Sequence, residues 1–310
     1  MSFSQWTGSR RLKTALTALV AMHFAFSLAA TTVSARESSE TREASRSCLW
    51  EVSSEKGTLF LVGTVHLLKP GTHVVSPAAE AAFEQAQTIL LELDLDEAES
   101  PASRQLFARK ALLQGETLKD KVSSETLALA VEKTEALGLP FDRLSNLKPW
   151  SLSLTLTLFK LQTLGFDPRH GVDRYYFDQG TQAGKEIGAL ETIEFQLDLF
   201  DGMSDRLQEE FLRQTLGDLD RLGEETEQLV QAWSGGEVEV LEELMRKSFE
   251  DYPDLYQRLV VERNKNWVLR IEPLLHRPGT TLVVVGALHL VGAESVVELL
   301  KKQGYTVKQL

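Results

Sequence analysis

Two histidines occupy matching positions in two similar apolar segments of the chain. Residues 58–68 read TLFLVGTVHLL and residues 281–291 read TLVVVGALHLV, so each segment has an apolar run, a glycine and, three residues later, a histidine. An apolar run of this length is typical of a strand that is covered on both faces of a sheet. Because α/β proteins often place chemistry just beyond the ends of such strands, His66 and His289 are candidate functional residues.

A single strand-end histidine is most simply explained as structural, because its imidazole can hydrogen-bond a backbone carbonyl. Two imidazoles presented by the same geometry from two strands suit a shared task, such as binding a divalent metal ion. Glu92, within the apolar segment TILLELD at 88–94, is the candidate third ligand. Burying a carboxylate is costly unless it is paired or coordinated, so Glu92 either joins the two histidines or forms an ion pair with an arginine.

Four more polar residues are candidates for lining the same site. Glu191 follows a short predicted strand and either faces the site or caps the next helix. Arg263 and Asn264 lie on a helix with an apolar face, where an arginine pairs with an acid, extends its stem over the apolar surface, or stabilises an oxyanion. Asp173, in HGVDRYYF, is predicted to lie in the first turn of a helix, with a role in the site as the alternative.

Composition and motifs exclude several classes of protein. The formal charge is −12, and it becomes −15 without residues 1–35, which argues against binding to nucleic acid or to an anionic membrane. Cys48 is the only cysteine, so it cannot form a disulfide within the chain, and we interpret it as a packing residue. The sequence has no Gly-rich phosphate loop, Cys-x-x-Cys pair, His-Glu-x-x-His or Gly-x-Ser-x-Gly motif, which removes the common nucleotide-binding, zinc-ribbon, zincin and serine-hydrolase classes.

The first 35 residues are typical of a secretory signal peptide. Three basic residues precede the apolar run at 15–30, and small residues follow it near residue 35. The alternative is an uncleaved membrane anchor. We therefore expect a signal peptide at 1–35, a flexible polar tether at 36–47 and one domain at 48–310. The protein is expected to be periplasmic or secreted, without stable membrane insertion once the signal is removed, and its oligomeric state is left undetermined.

The remaining sequence predicts an α/β (α+β) fold. A strand hairpin is expected over CLWEV and TLFLVGT, and further strands over 88–96 and KEIGAL. Amphipathic helices with serine or proline starts and glycine ends fill most of the middle, up to about residue 275. The last strands are TLVVV and YTVKQL. We predict a mixed central sheet, formed by the N- and C-terminal strands with the two Gly-x-x-His strands side by side, and a large helical insertion.

Several motifs together resemble a known family. In chain order they are FLVGTVHLL, LELD, HGVDRYYF, GKEIGALET, ERNKNW and VVVGALHLVGAESVVELLKKQGYTVKQL. They are similar to those of the TraB/GumN family, which is related to the Tiki metalloproteases, and the resemblance covers residues 48–310.

The resemblance implies that the two Gly-x-x-His histidines and a strand-end glutamate form an active site, which places these roles on His66, His289 and Glu92. In the Tiki branch such a site supports a metal-dependent peptidase that prefers manganese or cobalt. Erythromycin-esterase-like hydrolases, more remotely related, use a similar constellation. TraB-type members are associated with reduced peptide pheromone activity and GumN with polysaccharide gene clusters. Unlike Tiki proteins, this protein is expected to have no carboxy-terminal membrane anchor.

We therefore expect an exported metal-dependent hydrolase that acts on a peptide, or on a small molecule. His66 and His289 would bind manganese or cobalt, with zinc as a further candidate, and Glu92 would be a further ligand or the general base. Arg263 would stabilise the oxyanion. One alternative is a metal-free hydrolase with a histidine base. The other is a noncatalytic periplasmic protein that sequesters a peptide.

Overall fold

A computed structural model describes residues 47–72 and 75–310. The expected signal peptide, and the expected tether except for its last residue, lie outside these residues. Within them, six strands form one sheet. The strands are, in chain order, β1 (Leu49–Ser53), β2 (Gly57–Thr64), β3 (Thr88–Leu91), β4 (Glu186–Ala189), β5 (Gly279–Gly286) and β6 (Thr306–Gln309).

Thirteen α-helices surround this sheet in the described part of the chain. They are α1 (Pro77–Gln85), α2 (Leu95–Ala98), α3 (Pro101–Ala111), α4 (Ser124–Ala136), α5 (Pro149–Thr163), α6 (Val172–Gln182), α7 (Ile193–Asp201), α8 (Asp205–Asp218), α9 (Leu222–Ser234), α10 (Val238–Phe249), α11 (Pro253–Tyr256), α12 (Glu262–Ile271) and α13 (Val296–Lys302).

The sheet is mixed, with the order β4-β3-β5-β2-β1-β6. The first four strands in this order are parallel to one another, whereas β1 is antiparallel to both β2 and β6. This arrangement confirms the predicted fold class, in which strands from both ends of the chain share a sheet and the helical middle is inserted between them. The two Gly-x-x-His strands, β2 and β5, are neighbours as predicted. Parallel strands end at the same edge of a sheet, so the residues that follow them are brought together.

The two Gly-x-x-His motifs are one residue out of step in this pairing. Thr64 lies opposite Gly286, so Gly63 and Gly286 are not partners. His66 follows β2 in an irregular bend, whereas His289 ends a short 3₁₀-helix, Ala287–His289. The expectation that both strands present their histidines by the same geometry is therefore wrong, because the strands pair with a shift of one residue and the two histidines follow them in different local structures.

Local sequence signals explain where the helices begin and end. The Ser76 side chain accepts a hydrogen bond from the Ala79 backbone N–H, which caps α1 as predicted. Gly138, Gly165 and Gly184 follow α4, α5 and α6 with positive φ angles, which glycine adopts without strain. None of the described helices has both the length and the apolar character needed to span a membrane.

Candidate active site

The residues selected from the sequence lie in one connected network beyond the carboxyl ends of β2, β3, β4 and β5. Six of the seven are buried, and the side chain of His66 is 12% exposed. The network consists of His66, Glu92, Asp173, Glu191, Arg263, Asn264 and His289.

His66 is oriented by a carboxylate at the start of α6. Its Nδ1 lies 2.5 Å from Asp173 Oδ2, and the Thr64 hydroxyl donates to Asp173 Oδ1 at 2.7 Å. Gly171 lets α6 approach this closely, since a Cβ at that position would lie 2.2 Å from the His66 carbonyl oxygen. Asp173 is thus a first-turn residue of its helix, as predicted, and also holds the imidazole in the site. Its contact with Nδ1 turns the Nε2 of His66 toward Glu92.

Glu92 immediately follows β3 and uses both of its oxygens. Oε1 accepts a hydrogen bond from the Gly286 backbone N–H at 2.7 Å and lies 3.9 Å from His66 Nε2. Oε2 accepts from Arg263 Nη2 at 2.7 Å. The ion pair with an arginine and the position beside the histidine, considered above as alternatives, therefore occur together.

Arg263 forms the centre of the network. Its Nε donates to both oxygens of Glu191, at 2.9 and 3.1 Å, and its Nη2 donates to Glu191 Oε2 at 2.7 Å. Its guanidinium carbon lies 4.7 Å from the centroid of the Trp267 ring. A π-helical turn, Gln257–Val261, directly precedes α12, and the Leu259 carbonyl accepts from Arg263 Nη1 at 3.3 Å. Such turns are frequent at functional sites, because they re-aim the side chains of a helix.

Glu191 faces the site rather than capping α7. The N-cap of α7 is Thr192, whose side chain accepts from the Phe195 backbone N–H. Besides Arg263, the Glu191 carboxylate accepts hydrogen bonds from Trp267 Nε1 at 2.8 Å and Gln196 Nε2 at 2.9 Å. This carboxylate is therefore fully engaged in holding Arg263 in place.

His289 is oriented by an amide instead of a carboxylate. The Asn264 amide nitrogen donates to the Glu294 carbonyl at 2.8 Å, which turns Asn264 Oδ1 toward His289 Nδ1 at 2.6 Å. Arg263 Nη1, which can only donate, lies 3.2 Å from His289 Nε2. Both contacts assign the proton of a neutral imidazole to Nδ1. The Trp267 ring packs against this imidazole with 4.4 Å between the centroids.

The network carries an excess of negative charge. Burial by itself lowers the pKa of His66, but Asp173 and Glu92 outweigh burial and raise the pKa above its ordinary value. Burial also opposes ionisation of Arg263, yet Glu191 and Glu92 raise its pKa, so the guanidinium stays charged. With both imidazoles neutral, the carboxylates of Glu92, Asp173 and Glu191 exceed the one guanidinium by two charges. Uncompensated charge is costly to bury, which favours a cation here.

Because Gly286 has no side chain, no Cβ lies between the three predicted ligands. A Cβ at this position would lie 3.2 Å from His66 Nε2, 3.3 Å from Glu92 Oε1 and 3.6 Å from His289 Cδ2. Any side chain would therefore intrude between them. The glycine of the second motif thus serves the site itself. The glycine of the first motif, Gly63, instead allows close packing in the core, since a Cβ added at this position would lie 3.0 Å from the Ala287 Cα.

These residues include the side-chain types that bind a divalent metal ion, but not all of their ligand atoms point to one position. Both imidazoles have an oxygen partner at Nδ1, the contact that orients metal-binding histidines, and His66 Nε2 and Glu92 Oε1 face each other. The Nε2 of His289, however, faces Arg263. As placed in the described ranges, no three His, Cys, Asp or Glu residues form a group that could hold a metal ion.

Three contributors to the network were missed by the sequence reasoning. Thr64 lies inside the first Gly-x-x-His motif and supports Asp173, Trp267 lies one helical turn after Arg263, and Gln196 lies one turn into α7. The spacing of Trp267 from Arg263 carried a signal, because residues four apart share a helix face. Gln196 carried none.

Fold and site together define a class: an α/β protein that gathers two imidazoles, three carboxylates and one guanidinium beyond the ends of parallel strands. Residues 48–309 match the model of the TraB/PrgY/gumN family, and the chain belongs to this family. It is similar to the uncharacterized protein YbaP of Escherichia coli (strain K12), with 24% identity over 246 residues that cover 78% of this chain and 87% of YbaP. YbaP of Shigella flexneri matches with the same identity and coverage. No solved structure matches the chain.

Proposed function

We propose that this protein is a metal-dependent hydrolase that cleaves a peptide. The observation that carries the proposal is the pair formed by His66 Nε2 and Glu92 Oε1, which face each other across 3.9 Å beside Gly286, a residue without a side chain. His66, Glu92 and His289 would hold a divalent ion, and the excess of buried negative charge around them supports its binding. When bound, such an ion supplies a Lewis acid and makes a water molecule nucleophilic near neutral pH.

The chain's own residues would complete the chemistry. Asp173 holds His66 with its Nε2 toward the reacting centre, and Asn264 does the same for His289. Arg263 is a permanent cation within hydrogen-bonding distance of Glu92 and His289, where it would stabilise an oxyanion. Glu92, if not a ligand, would act as the general base.

A metal-free hydrolase is the second candidate, and the Asp173–His66 contact favours it. A carboxylate at Nδ1 of an imidazole orients a histidine that takes a proton at Nε2, as in serine hydrolases. In this form a water activated by His66 attacks the substrate, and Arg263 already occupies the position of an electrostatic stabiliser. Turnover by this route would be insensitive to chelators.

The substrate class and the location rest on other observations. A peptide substrate is supported by the family resemblance, with a small molecule as the alternative. Export to the periplasm or the medium is supported by the basic and apolar pattern of residues 1–35.

The test is metal content and peptide turnover of protein lacking residues 1–35, with a mixed peptide library and manganese, cobalt or zinc. His66→Ala and His289→Ala are compared with His276→Ala, whose side chain is 63% exposed and lies outside the network. We expect about one metal per chain and cleavage in the parent and in His276→Ala, and loss of both in the other two folded variants.

Other results would replace the proposal. Chelator-resistant cleavage that is lost in His66→Ala would support the metal-free hydrolase. Saturable binding of a peptide that remains intact, with metal present, would make the protein a sequestering protein. Equal cleavage by all variants would mean that the paired histidines are structural.

A further inference from the structure

Arg263 is held unequally by its partners. Glu191 grips the guanidinium edge through Nε and Nη2, with three contacts between 2.7 and 3.1 Å. Glu92 and His289 each have one contact, at 2.7 and 3.2 Å respectively. The side chain is 4% exposed, so no surface position is open to it without a large movement. Glu191 therefore holds Arg263 most firmly. The hydrogen bonds from Arg263 to Glu92 and to His289 can each break without releasing Arg263 from Glu191.

The two single contacts cover atoms that a metal ion would need. Arg263 Nη2 donates to Glu92 Oε2, and Arg263 Nη1 lies within hydrogen-bonding distance of His289 Nε2. Both acceptors belong to residues expected to be metal ligands. Arginine cannot relieve the conflict by losing a proton, because a guanidinium is not deprotonated in proteins. A divalent cation and a guanidinium at the same lone pair repel each other and exclude each other sterically.

The charge of the network points to the same competition. Glu92 and Glu191 are both buried, and Arg263 is the one guanidinium between them. In the arrangement described here, Arg263 serves as the counter-cation of both carboxylates. A bound divalent ion would take over Glu92, and Glu191 alone would then neutralise Arg263.

We infer that Arg263 is the cation of the site when no metal is bound. A divalent metal ion replaces Arg263 at Glu92 and His289, while Arg263 stays bound to Glu191. The inference rests on the metal-dependent form of the proposed function. It assigns Glu191 as a positioning residue that acts through Arg263. Metal affinity in this protein is then set by a competition that is internal to the chain.

The variant that tests this exchange is Arg263→Met with Glu191→Gln. Arg263→Met alone leaves Glu191 as an unpaired buried carboxylate and is at risk of not folding. The double variant removes one positive and one negative charge, so the formal charge of the network is unchanged. The Gln amide oxygen can still accept from Trp267 Nε1. Circular dichroism and the thermal midpoint establish that it is folded.

The measurement is the dissociation constant for Mn²⁺, from calorimetry or equilibrium dialysis of the purified protein. We expect the double variant to bind Mn²⁺ at least about tenfold more tightly than the parent, the order of effect that a neighbouring unit charge exerts on a titrating group. Arg258→Met is the matched control, because Arg258 lies in the preceding helical turn and donates to the Leu199 and Asp198 carbonyls. Its affinity for Mn²⁺ should equal that of the parent.

Two outcomes would overturn the inference and can be told apart. Equal or weaker Mn²⁺ binding by the folded double variant would overturn the exchange and leave the metal-dependent hydrolase standing. Absence of binding in the parent, in the double variant and in Arg258→Met would overturn both the exchange and the metal-dependent form, and would leave the metal-free hydrolase.

Discussion

His66 and His289 occupy the same position in their motifs, but the side chains that hold them differ in charge. Asp173 contacts His66 through a carboxylate, whereas Asn264 contacts His289 through a neutral amide. A carboxylate partner favours the imidazolium form of its histidine, and an amide does not. His66 is therefore the histidine suited to take up a proton, and His289 the one suited to remain neutral as a ligand or hydrogen-bond acceptor.

Asp173→Asn should reduce function without unfolding the protein. Asparagine replaces one of the two carboxylate oxygens by an NH₂ group that only donates, so it cannot accept from Thr64 at one position and from His66 at the other, and the imidazole loses its fixed orientation. We expect metal affinity or turnover to fall by roughly 10- to 100-fold, the usual effect of removing the group that hydrogen-bonds a metal-binding histidine. The control is Asp178→Asn on the same helix, where the side chain is 51% exposed and pairs with Arg174. Equal loss in both variants would show that the helix, and not the Asp173 contact, is responsible.

The two motif glycines should respond differently to alanine. Gly286 has φ −52° and ψ 133°, which alanine also adopts, so Gly286→Ala should fold but lose at least about tenfold in metal affinity or turnover through crowding of the ligands. Gly63→Ala meets backbone and core atoms instead and should lower the free energy of unfolding by about 1–3 kcal/mol. Urea denaturation and metal titration of both variants test this contrast, and the opposite pattern would contradict the roles assigned to the two glycines.

At the scale of elements, two acidic residues outside the site, Asp218 and Glu225, lie close together and repel each other where α8 meets α9. Burial and the nearby Asp218 raise the pKa of Glu225 to about 7, and Arg221, 3.5 Å away, offsets only part of this effect. Because the folded protein binds this proton more tightly than the unfolded chain, stability is highest below the unfolded pKa. It falls as the pH rises through about 7.

Glu225→Gln should therefore stabilise the protein in a pH-dependent way. The gain should be near zero at pH 4 to 5 and grow to about 1–2 kcal/mol at pH 8, a figure reduced for screening by solvent. Chemical denaturation of the variant and the parent across this range measures it. A gain that is independent of pH would mean that Glu225 does not titrate where its surroundings indicate.

Most of the elements could be predicted from local sequence, whereas their mutual placement could not. The apolar runs of β2 and β5, the Ser76 cap and the glycines after α4 to α6 are local signals, and each appears where it was expected. The strand expected at 88–96 ends at Leu91, because Asp94 uses its side chain to cap α2. That cap competes with the strand through a side-chain hydrogen bond, which apolar periodicity does not register.

The candidate site shows the same limit. Residue types and burial indicated His66, His289 and Glu92, since a charge or an imidazole within an apolar strand requires a partner. The identity of each partner depends on tertiary contacts between distant segments: Arg263 and Glu92 are 171 residues apart in sequence. The one-residue stagger of β2 against β5 is equally invisible, because it is set by the packing of whole strands.

At the scale of the whole molecule, metal binding should be visible as stability. An ion that binds the folded chain alone, at a free concentration of 100 times its Kd, adds about 2.7 kcal/mol to the free energy of unfolding. We therefore expect Mn²⁺ to raise the Tm of the parent and of His276→Ala by several degrees, and a chelator to reverse the rise. His66→Ala should show no rise. An equal rise in all three proteins would place the ion elsewhere.

The position of β5 between β2 and β3 has a consequence for the order of events during translation. The ribosome makes β2 and β3 early, but the strand that joins them is completed only at Gly286, and Glu92 has no Gly286 amide to bond until then. The first strand, β1, is joined to the residue after β6 still later, when the Leu310 N–H reaches the Leu49 carbonyl. A nascent chain with so many distant contacts folds late. The chain would remain unfolded, and able to pass through a translocation channel, until nearly all of it has been synthesised. This behaviour suits the proposed export of the protein.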